Sequence, residues 1–159
     1  MIKAKKSLGQ NFLIDPNIIN KILDITEIEN KSILEVGPGS GNLTSKILER
    51  KPKKLIVIEK DNQLVDLLKD IFDSKIKIIN EDILKVDENS LTDDKLTVFG
   101  NLPYNISTEI LCKWILNIKE NPWFEHLILM FQKEVADRII AEFNTKKYGR
   151  LSILANWKL

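Results

Sequence analysis

The chain has 159 residues, 43% hydrophobic and 30% charged, with 24 Lys and Arg against 23 Asp and Glu. This length and composition describe one globular domain with a real core and exclude a disordered or fibrous chain, while the near-neutral balance does not by itself announce a nucleic-acid partner. One cysteine, Cys112, and one histidine, His126, exclude an internal disulfide and the usual zinc clusters, so no metal is expected, and a reducing cytoplasm fits; no apolar run approaches the roughly 18 residues of a membrane span, and no signal peptide is expected.

Charge is clustered locally. Lys3, Lys5 and Lys6 open the chain, Lys46, Arg50, Lys51, Lys53 and Lys54 form a second group, and Lys146, Lys147 and Arg150 a third. Such clusters suit either solvated faces or a polyanion. Between Lys5 and Leu13 the glycine and amides read as an ordered arm anchored by Phe12 and Leu13 and closing over a ligand. Asp15-Pro16 then gives a cap and a first-turn proline, followed by a helix with Ile18, Ile19, Ile22 and Leu23 on one face.

Ile33-Leu34-Glu35-Val36 reads as a buried strand, and Gly37-Pro38-Gly39-Ser40-Gly41 separates it from a helix bearing Leu43, Ile47 and Leu48. A glycine loop in that position lets backbone approach a ligand closely. The third glycine falls one residue early for a dinucleotide fingerprint, with Asn42 in its usual place, and no Gly-Lys-Ser/Thr follows; this reads as a nucleoside loop. The next run, Leu55 to Ile58, ends in Glu59, about 20 residues after the glycines, where α/β nucleoside sites hold ribose hydroxyls. Asp61 caps a helix whose expected face is Leu64, Leu67, Leu68 and Ile71. A third strand, Ile76 to Ile79, leads to Asp82, a carboxylate able to accept from an adenine amine.

The fourth run, Leu96 to Phe99, enters Asn101-Leu102-Pro103-Tyr104-Asn105-Ile106-Ser107. Pro103 turns the chain out of the sheet and holds Leu102 extended, so the Asn101 side chain and the Leu102 carbonyl form a pair of acceptors beside the Tyr104 ring. That set suits a flat base carrying an exocyclic amine. Ser107 or Thr108 is expected to cap a helix burying Ile110, Leu111, Trp114 and Ile115. A fifth strand covers Leu127 to Phe131, and the helix after Gln132 carries Lys133 and Arg138, which suit phosphate or pairing with Glu134 and Asp137. Leu151 to Trp157 reads as a sixth strand. Continuous apolar runs alternating with helices imply an α/β doubly wound sheet, mainly parallel and covered on both faces.

Leu8 to Leu13, Glu35 to Thr44, Val57 to Asp61, Asn101 to Ser107, Gln132 to Arg138 and Tyr148 to Ser152 occur in the order found in the ribosomal RNA adenine dimethyltransferases. The chain resembles that family across nearly its whole length, most of all the bacterial small-subunit branch. The resemblance implies the S-adenosylmethionine-dependent methyltransferase (Rossmann-like) fold, with residues 1–159 as the catalytic domain, ending before a last strand and a small helical domain. It also implies that segment 151–159 lies at an unpaired edge, poorly ordered or paired with another molecule, and that residues 1–159 alone bind the cofactor but methylate ribosomal subunits poorly or not at all. Asn11 and Leu13 would touch the cofactor from the arm, Gly37 its methionine part, Glu59 the ribose and Asp82 the adenine amine. Asn101 would sit where cofactor and substrate meet, and Asn101, Leu102 and Tyr104 would carry catalysis.

The implied reaction transfers methyl groups from S-adenosylmethionine to the amines of two adjacent adenosines near the 3′ end of small-subunit (16S) rRNA, within an immature small ribosomal subunit. A cytoplasmic monomer is expected. The alternatives are a large-subunit rRNA adenine methyltransferase conferring antibiotic resistance and a non-catalytic assembly or transcription-factor relative.

Overall fold

The computed structural model describes residues 12–118 and 120–159. Five parallel strands form one sheet, β1 (Ser32–Val36), β2 (Lys54–Ile58), β3 (Lys77–Ile79), β4 (Leu96–Asn101) and β5 (Phe124–Met130), in the order β3-β2-β1-β4-β5. The chain therefore winds outward in one direction from β1 through β3, then returns to the other side of β1 with β4. That reversal leaves a crevice outside the carboxyl ends of β1 and β4, the usual ligand position in open α/β sheets.

All five residues of β1 are buried, as are four of five in β2 and five of six in β4, because helices cover both faces. On one face Ile33, Leu55, Val57 and Phe99 meet α1 (Pro16–Leu23), α2 (Asn42–Glu49) and α3 (Asn62–Phe72). On the other Leu34, Val36, Ile56, Ile58 and Val98 meet Ile110 and Trp114 of α4 (Ser107–Leu116). Asp15 and Asp61 cap α1 and α3, each accepting from backbone amides of the first turn. The α1 expectation of Ile19 and Leu23 as core holds, but Ile18 is exposed.

Three further expectations are corrected. The buried face of α3 is Leu64, Val65, Leu68 and Phe72, whereas Ile71 is exposed; Phe72 reaches under the glycine loop and takes the inner position. Neither Ser107 nor Thr108 caps α4: Ile106 holds the cap position, and Ser107 is a buried first-turn residue whose Oγ donates to the Tyr104 carbonyl at 3.3 Å. The largest correction concerns residues 151–157, which form a helix, α6 (Arg150–Lys158), after α5 (Lys133–Ile139). Leu151, Leu154 and Ala155 recur at helical spacing and pack on Leu111 and Ile115 of α4, while Ile153 and Trp157 point outward. The Gly149 amide donates to Ser152 Oγ, which in turn donates to the Arg138 carbonyl and ties α6 to α5. Residues 151–159 thus provide no unpaired sheet edge; among the described residues the edge strands are β3 and β5.

Candidate active site

Strand register assembles the site. Val36 pairs with Ile58 on one side and Gly100 on the other, and Ile58 pairs with Ile79. The next residues out of β3, β2 and β1, which are Asn80, Glu59 and Gly37, therefore stand side by side along the carboxyl edge with Asn101, the last residue of β4. The Gly37 amide donates to the Ile58 carbonyl and the Glu59 amide to the Ile79 carbonyl, both at 3.1 Å, so the order continues beyond the strands. Asn80 Nδ2 donates to the Glu59 carbonyl at 3.0 Å.

Gly37 has φ 71°, and a Cβ there would lie 2.8 Å from the Asn101 carbonyl oxygen. Only glycine lets these two chain segments meet so closely. At Gly39 an added Cβ would meet the Phe12 ring at 2.9 Å, so the arm seals the loop from outside. Asn42 Nδ2 donates to the Leu13 carbonyl at 3.0 Å and to Ser40 Oγ at 3.1 Å. That role for Asn42 was not visible in the sequence, where it marked only a departure from a fingerprint. Asn11, the other arm residue expected at the site, lies outside the described residues, as do Leu8, Gly9 and Gln10.

Glu59 is buried, with Oε1 accepting from the Asp61 amide at 2.9 Å. Burial raises its pKa, and the amides of Asp61, Gly39 and Lys60 oppose that rise by favouring the carboxylate. Asp82 accepts from the Leu84 amide at 3.0 Å through Oδ1 and from Lys60 Nζ at 2.8 Å through Oδ2. The Lys60 ammonium holds the Asp82 carboxyl below its usual range. Each Asp82 oxygen retains acceptor capacity for a ligand donor.

At the other side of the crevice Leu102 is buried and Tyr104 is 37% exposed. Tyr104 is therefore a rim residue with an accessible ring and no part of the core. The Ile106 amide donates to the Pro103 carbonyl at 3.1 Å, closing the turn that lifts the ring out of the sheet. Lys133 pairs with Asp137 at 2.9 Å, which also holds Lys147 at 2.6 Å, so the surface-pair account applies to Lys133. Arg138 instead lines a cavity of about 600 Å³ with Lys146 and Arg150, next to Thr108 at the start of α4. No group of three or more metal-ligating side chains occurs among the described residues.

Glu35 is the residue that pattern reading passed over. It is 1% exposed, next to last in β1, and burial raises its pKa to about 8, with the charge of Glu59 adding to the rise. Glu35 Oε2 and Thr44 Oγ1 have no hydrogen-bond partner among the described residues. A buried carboxyl with one unpartnered oxygen, two residues before the glycine loop, would be drawn toward its ionised form by a cationic ligand.

Comparison with known proteins agrees with this geometry. The family described as "Ribosomal RNA adenine dimethylase" matches residues 1–158. Two curated relatives, both named "Ribosomal RNA small subunit methyltransferase A", come from Pelagibacter ubique (strain HTCC1062) and Wolbachia sp. subsp. Drosophila simulans (strain wRi). The first is 70% identical over 99% of this chain and 60% of that protein, the second 48% identical over 98% and 57%. The chain thus spans well under two thirds of the curated relatives it matches. Among solved structures, a dimethyladenosine transferase from Plasmodium falciparum superposes with TM-score 0.78 at 30% identity, covering 92% of this chain and 52% of that one. The 23S rRNA methyltransferase ErmE superposes with TM-score 0.71 at 28% identity, covering 91% and 55%. The fold is that of the S-adenosylmethionine-dependent methyltransferases, and the chain belongs to the ribosomal RNA adenine dimethylase family.

Proposed function

We propose that residues 1–159 are the S-adenosylmethionine-binding catalytic domain of a small-subunit rRNA adenine dimethyltransferase, acting on two adjacent adenosines near the 3′ end of 16S rRNA in an immature, cytoplasmic subunit. The observation that carries this reading is the contact of Gly37 with Asn101, which sets a nucleoside loop against a base-holding turn at the switch point. The family name and the small-subunit names of the curated relatives support the substrate.

The residues fit the cofactor. Glu59 would hold the ribose hydroxyls, Asp82 the adenine amine, Gly37 the backbone near the methionine part, and Leu13 with Asn11 the outer wall. When bound, S-adenosylmethionine supplies an electrophilic methyl. The chain's own task is to present a poor nucleophile, since an adenine amine has its lone pair conjugated into the ring. Asn101 Oδ1 and the Leu102 carbonyl accept hydrogen bonds from that amine and draw the lone pair out of the ring plane. Stacking on Tyr104 holds the flipped base in line. After one transfer a single N–H remains, and one acceptor suffices for the second.

Titration calorimetry with S-adenosylmethionine, followed by methyl incorporation into immature small and large subunits, tests the reading. Incorporation confined to large subunits would replace it with the antibiotic-resistance activity, and cofactor binding without transfer to either, in a chain extended to the length of its relatives, would favour an assembly factor. Glu59→Ala is expected to weaken cofactor binding by about 1.5–3 kcal/mol, the cost of leaving hydroxyls without a charged acceptor. Unchanged affinity would remove Glu59 from the site.

Arg138→Ala is expected to weaken RNA binding evenly across sequences and to reduce the slope of log K against log salt by about one. An unchanged slope would mean that this cavity meets no phosphate.

A further inference from the structure

Asp82 and Asn101 stand on opposite sides of the crevice, the first after β3 and the second at the end of β4, strands that are not neighbours because β2 and β1 lie between them. Strand pairing therefore cannot by itself fix the segment after β3 relative to the turn after β4. Side chains of α4 join them: Ile83 packs in one core cluster with Ile110 and Trp114, and the polar links come from Lys113 and Trp114. Lys113, on α4, sends its ammonium across one face of the sheet to the carbonyls of Ile83, at 2.9 Å, and Val86, and to Glu88 Oε1 at 2.7 Å. An ammonium has three donors, and all three are used on residues 83–88. Trp114 Nε1 donates to the same Glu88 oxygen at 2.6 Å, and the Glu88 side chain is only 6% exposed.

The segment gripped in this way is the turn that orients Asp82. Asp82 Oδ1 accepts from the Leu84 amide, the Asp82 carbonyl accepts from the Lys85 amide at 2.8 Å, and the Ile83 carbonyl accepts from the Val86 amide at 3.3 Å. Residues 83–85 form a single 3-10 turn, too short to hold its own shape. Its carbonyls reach Lys113 instead, and α4 follows directly from the Asn101–Ile106 turn.

We propose that Lys113 is a positioning residue for the nucleoside end of the cofactor site. By holding residues 83–88 against α4 it fixes the direction of the Asp82 carboxylate, and with it the preference for a purine bearing an exocyclic amine. The proposal rests on the reading of Asp82 as the acceptor for that amine.

The test compares dissociation constants of S-adenosylhomocysteine and S-inosylhomocysteine, in which a carbonyl replaces the amine and N1 gains a hydrogen, for the wild-type chain and Lys113→Met. The 2′-deoxyadenosyl analogue serves as a measure of the ribose contact. A single hydrogen bond to a charged group corresponds to a preference of about tenfold or more in the wild type. Lys113→Met should reduce it to under about threefold and leave the preference for the 2′-hydroxyl unchanged, because Glu59 is held by its own neighbouring amides. Should that variant fail to fold, because Glu88 is left buried and unpaired, Lys113→Met with Glu88→Gln removes the charge and keeps an acceptor for Trp114. An amine preference that survives in either folded variant overturns the role of Lys113 and leaves Asp82 in place. Loss of both preferences together also overturns it, since general loosening then explains the effect. A wild-type chain with no amine preference removes Asp82 from the contact, and the proposal falls with it.

Discussion

Asn101→Ala should lower single-turnover methyl transfer by about a hundredfold or more while changing RNA affinity by less than about threefold. The asymmetry follows from when the acceptor matters. In the ground state the amine is planar and its hydrogens are shared with water at little cost. As the methyl arrives the nitrogen becomes tetrahedral and positively charged, and an acceptor fixed beside it gains strength. Two observations indicate that Asn101 is fixed in its backbone. It is the last residue of β4 in register with Met130, and its backbone carbonyl sits against Gly37. Turnover and RNA affinity should be measured on the same preparation. Normal turnover with weakened RNA binding would make the Asn-Leu-Pro-Tyr turn a docking element.

Much of this site was legible in the sequence because strand ends were. Each of β1 to β4 is predominantly apolar, so its last residue could be located to within one or two positions, and in a parallel sheet such ends share one edge. Asp82 and Glu59 are found at that edge for this reason. The α6 segment was not legible: Leu-Ser-Ile-Leu-Ala suits a buried strand or a helix, and only the presence of Leu111 and Ile115 on α4 selects the helical face. The Lys113 link was hidden for a different cause. Its partners lie 25 to 30 residues away, and two of the three are backbone carbonyls that have no side-chain signature. Glu35 is a third case. Beside a glycine loop it reads as a strand residue with a polar side chain, and its importance appears only when burial and the absence of a partner are known.

Glu35→Gln should stabilise the chain increasingly as pH rises. A carboxyl whose pKa is about 8 when folded and 4.5 when unfolded is protonated in the native state at pH 6 and ionised in the unfolded state. The unfolded state then binds fewer protons, so stability falls between those two values and is fully present only below the lower one. At about 1.4 kcal/mol per pKa unit the swing is on the order of 3–5 kcal/mol, lost by pH 8. Glutamine has nearly the same shape as a protonated glutamate and does not titrate. The variant should therefore match wild type near pH 4.5, where acid loss of other carboxylates such as Asp94 and Asp137 affects both proteins alike, and exceed it in slightly alkaline buffer. Urea unfolding at several pH values gives the comparison, and parallel curves would mean that Glu35 is ionised throughout. The same carboxyl links stability to ligand binding. Positive charge brought to the glycine loop lowers the Glu35 pKa, so cofactor binding at pH 7 should release protons in the wild type and fewer in Glu35→Gln. Calorimetry in buffers of different ionisation enthalpy measures that number directly, and equal release from the two proteins would place the cofactor's charge away from Glu35.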